Sequence, residues 1–509
     1  MLFNSYSFLL AFLPVVLAGA WALRRSSGIT AVQVWLAMAS LAFYGLASPA
    51  HLPLLLGSVL FNHFVGERIL AAIDPSRRHR WLVTGIAANL AVLGIFKYAS
   101  FAAGSLNEVF PTSVPDPGLV LPVGISFFTF TQIAFLVDAA RHQASPYGIT
   151  NYTLFVSYFP HLVAGPILHH RETVKQFDTE RFCAFRADDV LQGSVLFAIG
   201  LAKKVLLADM LAPFADATFL AADQGIKLSF WEAWFGLAAY SLQLYFDFSG
   251  YSDMAVGLSL LLGVRIPINF RSPYRATSII DFWHRWHISL STFLRDYLYV
   301  PLGGNRRGPL RRYTNLMITM LLGGLWHGAG WGFLIWGGLH GFYLLVNHGW
   351  RQIRGTDASV PSAAWVRLLN WSLTLLAVML AWSFFRASTL DGAFNLIIGA
   401  LGRHGVGLPQ SLGSLSAALS SRLPGIEWLP IGMFPSDLVE NKLAWVFWVV
   451  AAGSIALLTP NSTSLVGLDE IAPGAPRLPS AWIVGCTGVF FALALLSLHR
   501  QSPFLYFQF

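Results

Sequence analysis

The sequence predicts an all-α polytopic membrane protein with about 11–13 membrane segments, each near the roughly 20 residues that span a bilayer. Only 11% of its 509 residues are charged, whereas soluble domains carry about 25%. Hydrophobic residues make up 55% of the chain. They form long runs rather than the short alternating segments of a membrane barrel, so the segments are expected to be helices.

The formal charge of +8 comes from basic residues in short clusters between the apolar runs. Clusters in these positions are typical of cytoplasmic loops. We therefore expect the protein to be embedded in a lipid bilayer and to have no nucleic-acid partner. The only cysteines, Cys183 and Cys486, lie far apart in the sequence. This spacing predicts neither a disulfide framework nor a zinc site.

The N-terminal third alternates apolar runs with short connectors. The runs lie near 5–23, 32–48, 52–73, 81–101 and 119–138. Basic residues follow the first, third and fifth runs, while the other two connectors lack them. Because basic connectors stay in the cytoplasm, the N-terminus is expected outside. No basic segment precedes the first run, so we expect a retained span rather than a signal peptide.

The rest of the chain continues the pattern with more irregular segments. Its long apolar runs are 190–212, 229–263, 313–350, 365–385, 443–459 and 481–499. Two prolines within 150–170 predict a kinked or partial crossing, and the charged stretch 171–189 is expected to be exposed. We predict one membrane domain over 1–509, with 390–442 as an inserted loop and surface helix.

The run 313–350 contains no Asp, Glu, Lys or Arg and is too long for one simple crossing. Its centre has poor helix propensity because it is rich in glycine; these residues are Gly323, Gly324, Gly328, Gly330 and Gly332. His327 lies inside this cluster, between Trp326 and Trp331. Irregular backbone at membrane depth is tolerated only inside protein or beside a cavity, so we expect a broken helix and a buried site at His327.

The preceding segment, 275–312, has the periodicity of one amphipathic helix. Its apolar face comprises Phe282, Trp286, Leu290, Phe293 and Tyr297. Asp281 and Arg285 are four apart and are expected to pair, while His284 and His287 occupy neighbouring positions. We expect chemistry and recognition to meet between 281 and 340.

Five motifs resemble the membrane-bound O-acyltransferase (MBOAT) family. Two are FWHRWHISLSTFLRDYLYVPLGGNRRG and LGGLWHGAGWGFLIWGGLHG. The others resemble the bacterial branch that acetylates exported polysaccharides such as alginate: LPVGISFFTFTQIAFLVDAAR, YFPHLVAGPI and QLYFDFSGYSDMAVGLSLLLG. Together they define a core motif region of about 121–341. One departure is Ala134–Phe135, where related proteins tend to have Ser-Tyr, which leaves the acceptor open.

The resemblance implies a helical fold around a central tunnel with His327 at its narrow part and His287 as a second functional histidine. It implies a multi-pass protein of the bacterial inner membrane that uses acetyl-CoA as cytoplasmic donor, without a tightly bound cofactor. It also implies periplasmic acetyltransferase partners, with a polysaccharide acceptor reached directly or through them. Alginate, cellulose and peptidoglycan all remain candidate acceptors, and a carrier protein remains an alternative donor.

Acetyl transfer to a hydroxyl needs a base and stabilisation of the developing oxyanion. A neutral histidine suits the first role because its unperturbed pKa is close to working pH. We predict that His327 is the general base and that His287 orients a substrate or assists proton transfer. The glycines are expected to open a passage for two substrates. A covalent acetyl intermediate remains an alternative.

Other polar and aromatic residues are assigned supporting roles. Arg306 and Arg307 could contact donor phosphates, although loop anchoring explains them equally well. Asp247 and Asp253 must be paired to be buried and could line the tunnel. The remaining support or tunnel candidates are Trp326, Trp331 and His284. No metal is expected, because the His-x-x-His pair has no third ligand in its segment.

Two other function classes compete with this hypothesis. Broken helices and buried polar groups also mark transporters and flippases without acyl chemistry. A protein or lipid O-acyltransferase would use the same fold on another acceptor.

Overall fold

The computed structural model describes residues 1–355, 363–407, 411, 413–422, 428–429, 434, 438, 440–468, 478–500 and 502–505. The α-helices are α1 (Leu13–Ser26), α2 (Ile29–Ala47), α3 (Leu52–Ala71), α4 (Pro75–Val109), α5 (Ile125–Ala140), α6 (Ile149–Ser157), α7 (His170–Gln176), α8 (Ala187–Ala202), α9 (Asp209–Asp223), α10 (Phe230–Leu261), α11 (Ile279–Trp283), α12 (Ile288–Leu294), α13 (Gly308–His327), α14 (Trp331–Arg354), α15 (Ala364–Arg386), α16 (Leu390–Ala400), α17 (Gly413–Arg422), α18 (Lys442–Leu458), α19 (Ser462–Leu465) and α20 (Ala481–Ser497). Within these ranges the strands are two short ones, β1 (Val406–Gly407) and β2 (Trp428–Leu429), which pair in parallel.

Short helices of other types extend or join the α-helices. In the described ranges, π-helical segments occur at Phe8–Phe12, Lys203–Ala208 and Arg295–Tyr299. Segments of 3₁₀ type include Pro49–His51, Pro273–Arg275 and Leu498–Arg500.

Five helical segments in the described part of the chain are long and apolar enough to cross a membrane. They are Phe8–Ser26, Ile29–Ala47, Pro49–Ala71, Pro75–Val109 and Ala364–Arg386. Shorter apolar helices accompany them: Ile125–Ala140, Leu390–Ala400, Lys442–Leu458 and Ala481–Ser497. The prediction of an all-α polytopic membrane protein is confirmed. The total of about 11–13 segments stays a prediction.

The basic connectors of the N-terminal third lie on one face of the molecule. At the end of α1, Arg24 Nε donates to the carbonyl oxygen of Phe182. At the start of α4, Arg78 hydrogen-bonds His142, just beyond α5. Arg171, in the same 171–189 stretch as Phe182, hydrogen-bonds Gln143 beside His142 and pairs with Asp138. The connectors therefore meet at one shared segment, as the alternation of basic and uncharged loops predicts, and we call this side the basic face.

The run 313–350 is divided between two helices, as predicted. α13 ends at His327 and α14 begins at Trp331. The glycines at 328 and 330 have extended backbones at the helix boundaries, which ends one helix and starts the other. The two helices pack closely against each other, so the break forms the tip of a helical hairpin.

The prediction of one continuous amphipathic helix over Phe282 to Tyr297 is wrong. α11 ends at Trp283, a turn follows, and α12 starts only at Ile288. His287 has a positive φ of 45°, which no α-helix allows. The i,i+4 pair nevertheless forms, with Arg285 Nε 2.7 Å from Asp281 Oδ1.

The described parts of the segments 171–189 and 390–442, predicted to be an exposed stretch and an inserted loop with a surface helix, are more buried than a simple loop. Within 171–189, Asp189 is only 3% exposed and pairs with Arg181, so this stretch is less exposed than predicted. Within 390–442, α16 buries Leu396 in the core, while α17 lies at the surface. Residues 408–410, 412, 423–427, 430–433, 435–437 and 439 lie outside the described residues. The assignment of 390–442 as an insertion, like that of 1–509 as one domain, stays a prediction.

Candidate active site

His327 lies at the last residue of α13 and is buried, with 5% of its surface exposed. Its imidazole is surrounded by aromatic rings: the centroids of Trp326, Trp336 and Phe385 are 5.0, 5.1 and 5.3 Å away. Such an apolar shell excludes water and strengthens every electrostatic interaction inside it. The sequence prediction that the glycine-rich break encloses a buried histidine is confirmed.

The glycines around the break have a different role from the predicted one. A Cβ on Gly324 would lie 2.3 Å from the carbonyl oxygen of Phe333, and one on Gly337 would lie 2.4 Å from that of Met320. A Cβ on Gly328 would overlap the Phe333 ring at 2.1 Å. The protein's own atoms fill these spaces. The glycines therefore allow α13 and α14 to approach closely, rather than opening a passage for substrates.

His287 is fully buried and is held by Asn269. The Asn269 Oδ1 atom accepts hydrogen bonds from the Ser289 amide (3.1 Å) and the Ser289 hydroxyl (2.9 Å). The His287 Nδ1 atom lies 3.2 Å from the same oxygen and must donate to it. A neutral His287 then carries its acceptor at Nε2. The main chain adds a further link, from the Ile288 amide to the Asn269 carbonyl at 3.0 Å.

The left-handed backbone at His287 is a strained conformation for a non-glycine residue. Such residues cost about 1–3 kcal/mol and cluster at functional sites. The hydrogen bonds that Asn269 accepts from His287, Ile288 and Ser289 over-determine it. This strain places the His287 ring opposite α13 instead of along the face of a continuous helix.

The structure brings the two predicted histidines together. The ring centroids of His287 and His327 are 6.2 Å apart, with their planes inclined at 59°. They come from α13 and from the turn before α12, which are separated by forty positions in the sequence. His327 lines the cavity described next, whereas His287 lines neither described cavity. His327 is therefore the imidazole placed to take a proton from a group in that cavity, and His287 lies behind it, placed to orient or assist.

A cavity of about 80 Å³ reaches His327 from the end of the molecule opposite the basic face. Its polar groups include Lys97 and Ser126, and the start of α5 forms much of its wall. α13 has 20 residues, and at about 1.5 Å per residue it extends roughly 30 Å from the basic face to this cavity. The candidate site is therefore distant from the basic face.

A second cavity, of about 470 Å³, lies at the other end of α5. Its charged lining comprises Asp138, Arg141, Arg171, Glu172, Arg295 and Asp296. Arg171 pairs with Asp138 and Arg295 with Asp296. Within the described ranges Arg141 has no carboxylate partner, and its guanidinium lies over the Tyr297 ring at 5.9 Å.

His169 also lines this second cavity and lies outside the membrane-spanning helices. Burial lowers the pKa of His169 below its ordinary value, although Glu172 and Asp138 oppose the shift. A histidine with a lowered pKa is neutral at physiological pH. The positive charge of the cavity therefore comes from its arginines.

A stack of aromatic rings separates the two cavities. Trp326 lines the cavity at His327, and Tyr297 lines the second one. Between them, Phe130 stacks on Trp326 at 5.3 Å and on Phe293 at 4.2 Å, and Phe293 contacts Tyr297 at 5.0 Å. These rings form a continuous chain of contacts from one cavity lining to the other.

The other predicted site residues lie at various distances from the histidine pair. Trp326 lines the smaller cavity beside His327, whereas Trp331 is 47% exposed and contacts Phe101. His284 is exposed in the turn after α11. Trp331 and His284 therefore do not line either described cavity, and their tunnel role is not supported by their positions.

Arg306 and Arg307 lie on the exposed turn before α13, at the basic face. They do not line the second cavity, although Val300 of the same segment does. Their contact with donor phosphates stays a prediction.

Asp247 and Asp253 are buried on α10 and are paired, as their cost in an apolar environment requires. Asp247 Oδ1 lies 2.6 Å from Lys204 Nζ, and Asp253 Oδ2 lies 2.6 Å from Lys203 Nζ. Neither carboxylate lines the described cavities. They join α10 to the π-helical segment 203–208.

Two residues of the site, Lys97 and Asn269, were not predicted from the sequence. Lys97 is a single charge within an apolar run, which was a usable signal. Asn269 gave none, because its importance depends on a partner eighteen positions away. In the described part of the chain, no three histidine, cysteine or acidic residues are grouped so that they could hold a metal ion.

Comparison with known proteins identifies what this site is similar to. Residues 4–390 match the model of the MBOAT, membrane-bound O-acyltransferase family. The chain is 41% identical to the peptidoglycan O-acetyltransferase of Helicobacter pylori, over 100% of this chain and 98% of the relative. It is 42% identical to a probable alginate O-acetylase of Pseudomonas aeruginosa over the full length of both.

The chain is also similar, more distantly, to a protein named for the transfer of a different acyl group. The chain is 27% identical to the teichoic acid D-alanyltransferase of Streptococcus thermophilus, over 55% of this chain and 72% of that protein. Both histidines and the break between α13 and α14 lie within the region matched by the family model.

Proposed function

The chain belongs to the membrane-bound O-acyltransferase family, and we propose that it transfers acetyl groups from a cytoplasmic donor to a polysaccharide outside the cytoplasm. Membership makes the protein an O-acyltransferase, which excludes a transporter without acyl chemistry. Relatives named for peptidoglycan, alginate and teichoic acid support a cell-envelope polymer as acceptor. The location would be the bacterial inner membrane.

The observation that carries this proposal is the buried pair of His287 and His327, of which His327 lines a cavity on the far side from the basic face. In the proposed reaction, His327 takes the proton of the attacking hydroxyl as the oxygen attacks the thioester carbonyl. The C–O bond forms, the C–S bond breaks, and the proton passes to the leaving thiolate. His287, with Nδ1 held by Asn269, presents Nε2 to accept or relay that proton.

The donor is proposed to enter from the second cavity. Basic connectors surround this end of the molecule, which is cytoplasmic by the distribution of basic residues. Arg141 is the guanidinium there that no described carboxylate neutralises, so it suits the phosphates of acetyl-CoA. Substitution Arg141→Gln should raise the acetyl-CoA concentration required for half-maximal transfer, with little change in the maximal rate.

The acceptor is proposed to approach His327 through the smaller cavity. Its volume of about 80 Å³ suits a hydroxyl group and a short acyl chain but not a whole sugar chain. This size favours either a terminal hydroxyl or a partner protein that carries the acetyl group onward.

The proposal is tested by measuring acetate released by mild base from purified cell-envelope polymers. Cells with and without this protein are compared, fraction by fraction. One polymer fraction should lose its ester-linked acetate when the protein is absent and regain it on complementation. If every polymer keeps the same ester content, the polysaccharide assignment is wrong, and labelling of proteins and lipids would then identify the acceptor.

A further inference from the structure

Lys97 is a buried lysine in the middle of the membrane-spanning helix α4, and it requires an explanation. It is only 8% exposed, and a charged side chain at this depth is costly unless it is paired. Among the described residues it forms no ion pair with a carboxylate. Its one hydrogen-bonding side-chain partner is the hydroxyl of Ser126, at 3.3 Å.

The stronger contacts of Lys97 are with the main chain at the active site. Its Nζ donates to the carbonyl oxygen of Trp326 at 2.5 Å and to that of His327 at 3.1 Å. The next residue, Tyr98, donates its hydroxyl to the carbonyl of Leu325 at 2.7 Å. Two consecutive side chains of α4 thus bind three consecutive carbonyls at the end of α13.

These contacts meet a definite physical need. The last four carbonyls of a helix have no partner within the helix, and in a bilayer each unsatisfied group costs several kcal/mol. The C-terminal end of a helix also carries partial negative charge, which a cation stabilises. A lysine supplies both the charge and three donors, so it suits a helix that must end inside the protein.

We infer that Lys97 is a positioning residue, which fixes the end of α13 so that the His327 imidazole faces His287 and the cavity. Because one of its bonds is to the carbonyl of His327 itself, any movement of Nζ is transmitted to that residue's backbone. Tyr98 assists by holding the preceding carbonyl. This inference rests on the proposed role of His327 in acyl transfer.

The test uses four variants of the full-length protein in inverted membrane vesicles supplied with labelled acetyl-CoA. Lys97→Met removes the charge and donors at similar length, Lys97→Arg keeps them, and Tyr98→Phe removes one donor. The matched control is Asn89→Leu, which removes another buried polar group of α4. Asn89 pairs with Asn62, away from the described cavities.

The readout is the maximal rate of ester-linked label incorporation per folded molecule, with folded protein counted by size-exclusion chromatography. A misplacement of about 1 Å can cost on the order of 10²-fold in rate, so Lys97→Met should lower the maximal rate by about 10- to 100-fold. The acetyl-CoA concentration that gives half the maximal rate should not change. Lys97→Arg should retain much of the wild-type maximal rate. Tyr98→Phe should show a smaller loss. An unchanged rate in Lys97→Met, or one lowered equally in Asn89→Leu, overturns the inference.

Hydrogen exchange separates this inference from the proposed function. The amides around 325–331 should exchange faster in Lys97→Met than in the wild type or in Asn89→Leu. If the wild type incorporates no label, the proposed function fails and this exchange pattern alone decides whether Lys97 fixes the helix end. Unchanged exchange would show that it does not.

Discussion

Buried lysines serve two different purposes in this molecule. Lys204 lies 2.6 Å from Asp247 and 2.9 Å from Asp209, so its charge is neutralised where two helical segments meet. In the described part of the chain, the hydrogen-bond acceptors of Lys97 are oxygen atoms without formal charge, at the broken helix that carries His327. Lys204, which is paired with carboxylates, therefore stabilises the fold. Lys97, which is bound to main-chain carbonyls, positions the active site.

The largest expected effect on stability is therefore at Lys204. Lys204→Met leaves the buried Asp247 and the half-buried Asp209 without their cation, and breaking a buried pair costs about 3–5 kcal/mol. The folded yield and the unfolding temperature in detergent should fall sharply. The transfer rate of each molecule that remains folded should change little, in contrast to Lys97→Met. A large loss of rate in properly folded Lys204→Met protein would remove the distinction between the two lysines.

The next effect concerns the second support of the site, Asn269. Asn269→Leu leaves the Ser289 amide and the His287 Nδ1 hydrogen without their acceptor, at about 1–3 kcal/mol for each buried group. Acetyl transfer should fall strongly because His287 loses its fixed tautomer. Asn269→Asp retains an oxygen acceptor and should keep more activity than the leucine variant. Equal activities in the two variants would show that the oxygen does not orient His287.

Glycine packing in the hairpin should give a moderate effect. Gly324→Ala places a methyl group against the Phe333 carbonyl, and forcing extra atoms into a packed core typically costs about 1–3 kcal/mol. The control is Gly349→Ala on α14, where a Cβ meets nothing within 4 Å. The unfolding temperature should fall in Gly324→Ala and should stay unchanged in Gly349→Ala. If both variants unfold like the wild type, the hairpin has more room than its contacts indicate.

The smallest effect is expected at the partly exposed pair of Asp281 and Arg285. Exposed i,i+4 pairs contribute about 0.3–0.5 kcal/mol, so Asp281→Ala should leave the unfolding temperature almost unchanged. This variant gives the stability change for a partly exposed pair, to compare with that for the buried pair of Lys204 and Asp247. A loss comparable to that of Lys204→Met would mean that this turn is more important to the fold than its exposure suggests.

Much of the fold and the centre of the site could be predicted from the sequence because both depend on local patterns. Long uncharged runs specify membrane helices, and glycines around one histidine specify a break. The Asp281–Arg285 pair followed from helical spacing alone. The alignment of basic connectors on one face followed from their alternation along the chain.

What could not be predicted depends on contacts between distant residues. The periodicity from Phe282 to Tyr297 suited one helix, and only the contacts of Asn269 explain why the chain turns at His287 instead. Lys97 meets His327 across 230 positions of sequence, so no local pattern connects them. The glycines were assigned to substrate access because composition does not reveal what fills the space beside them.

The central claim is that His327, at the end of α13, is the base for acyl transfer. The most direct measurement is the ester-linked acetate of the envelope polymer in cells that express His327→Ala, compared with His284→Ala, which changes an exposed histidine outside the cavities. With equal amounts of folded protein in the membrane, His327→Ala should reduce the acetate to the level of cells without the protein, and His284→Ala should retain it. Wild-type acetylation by folded His327→Ala would contradict the account.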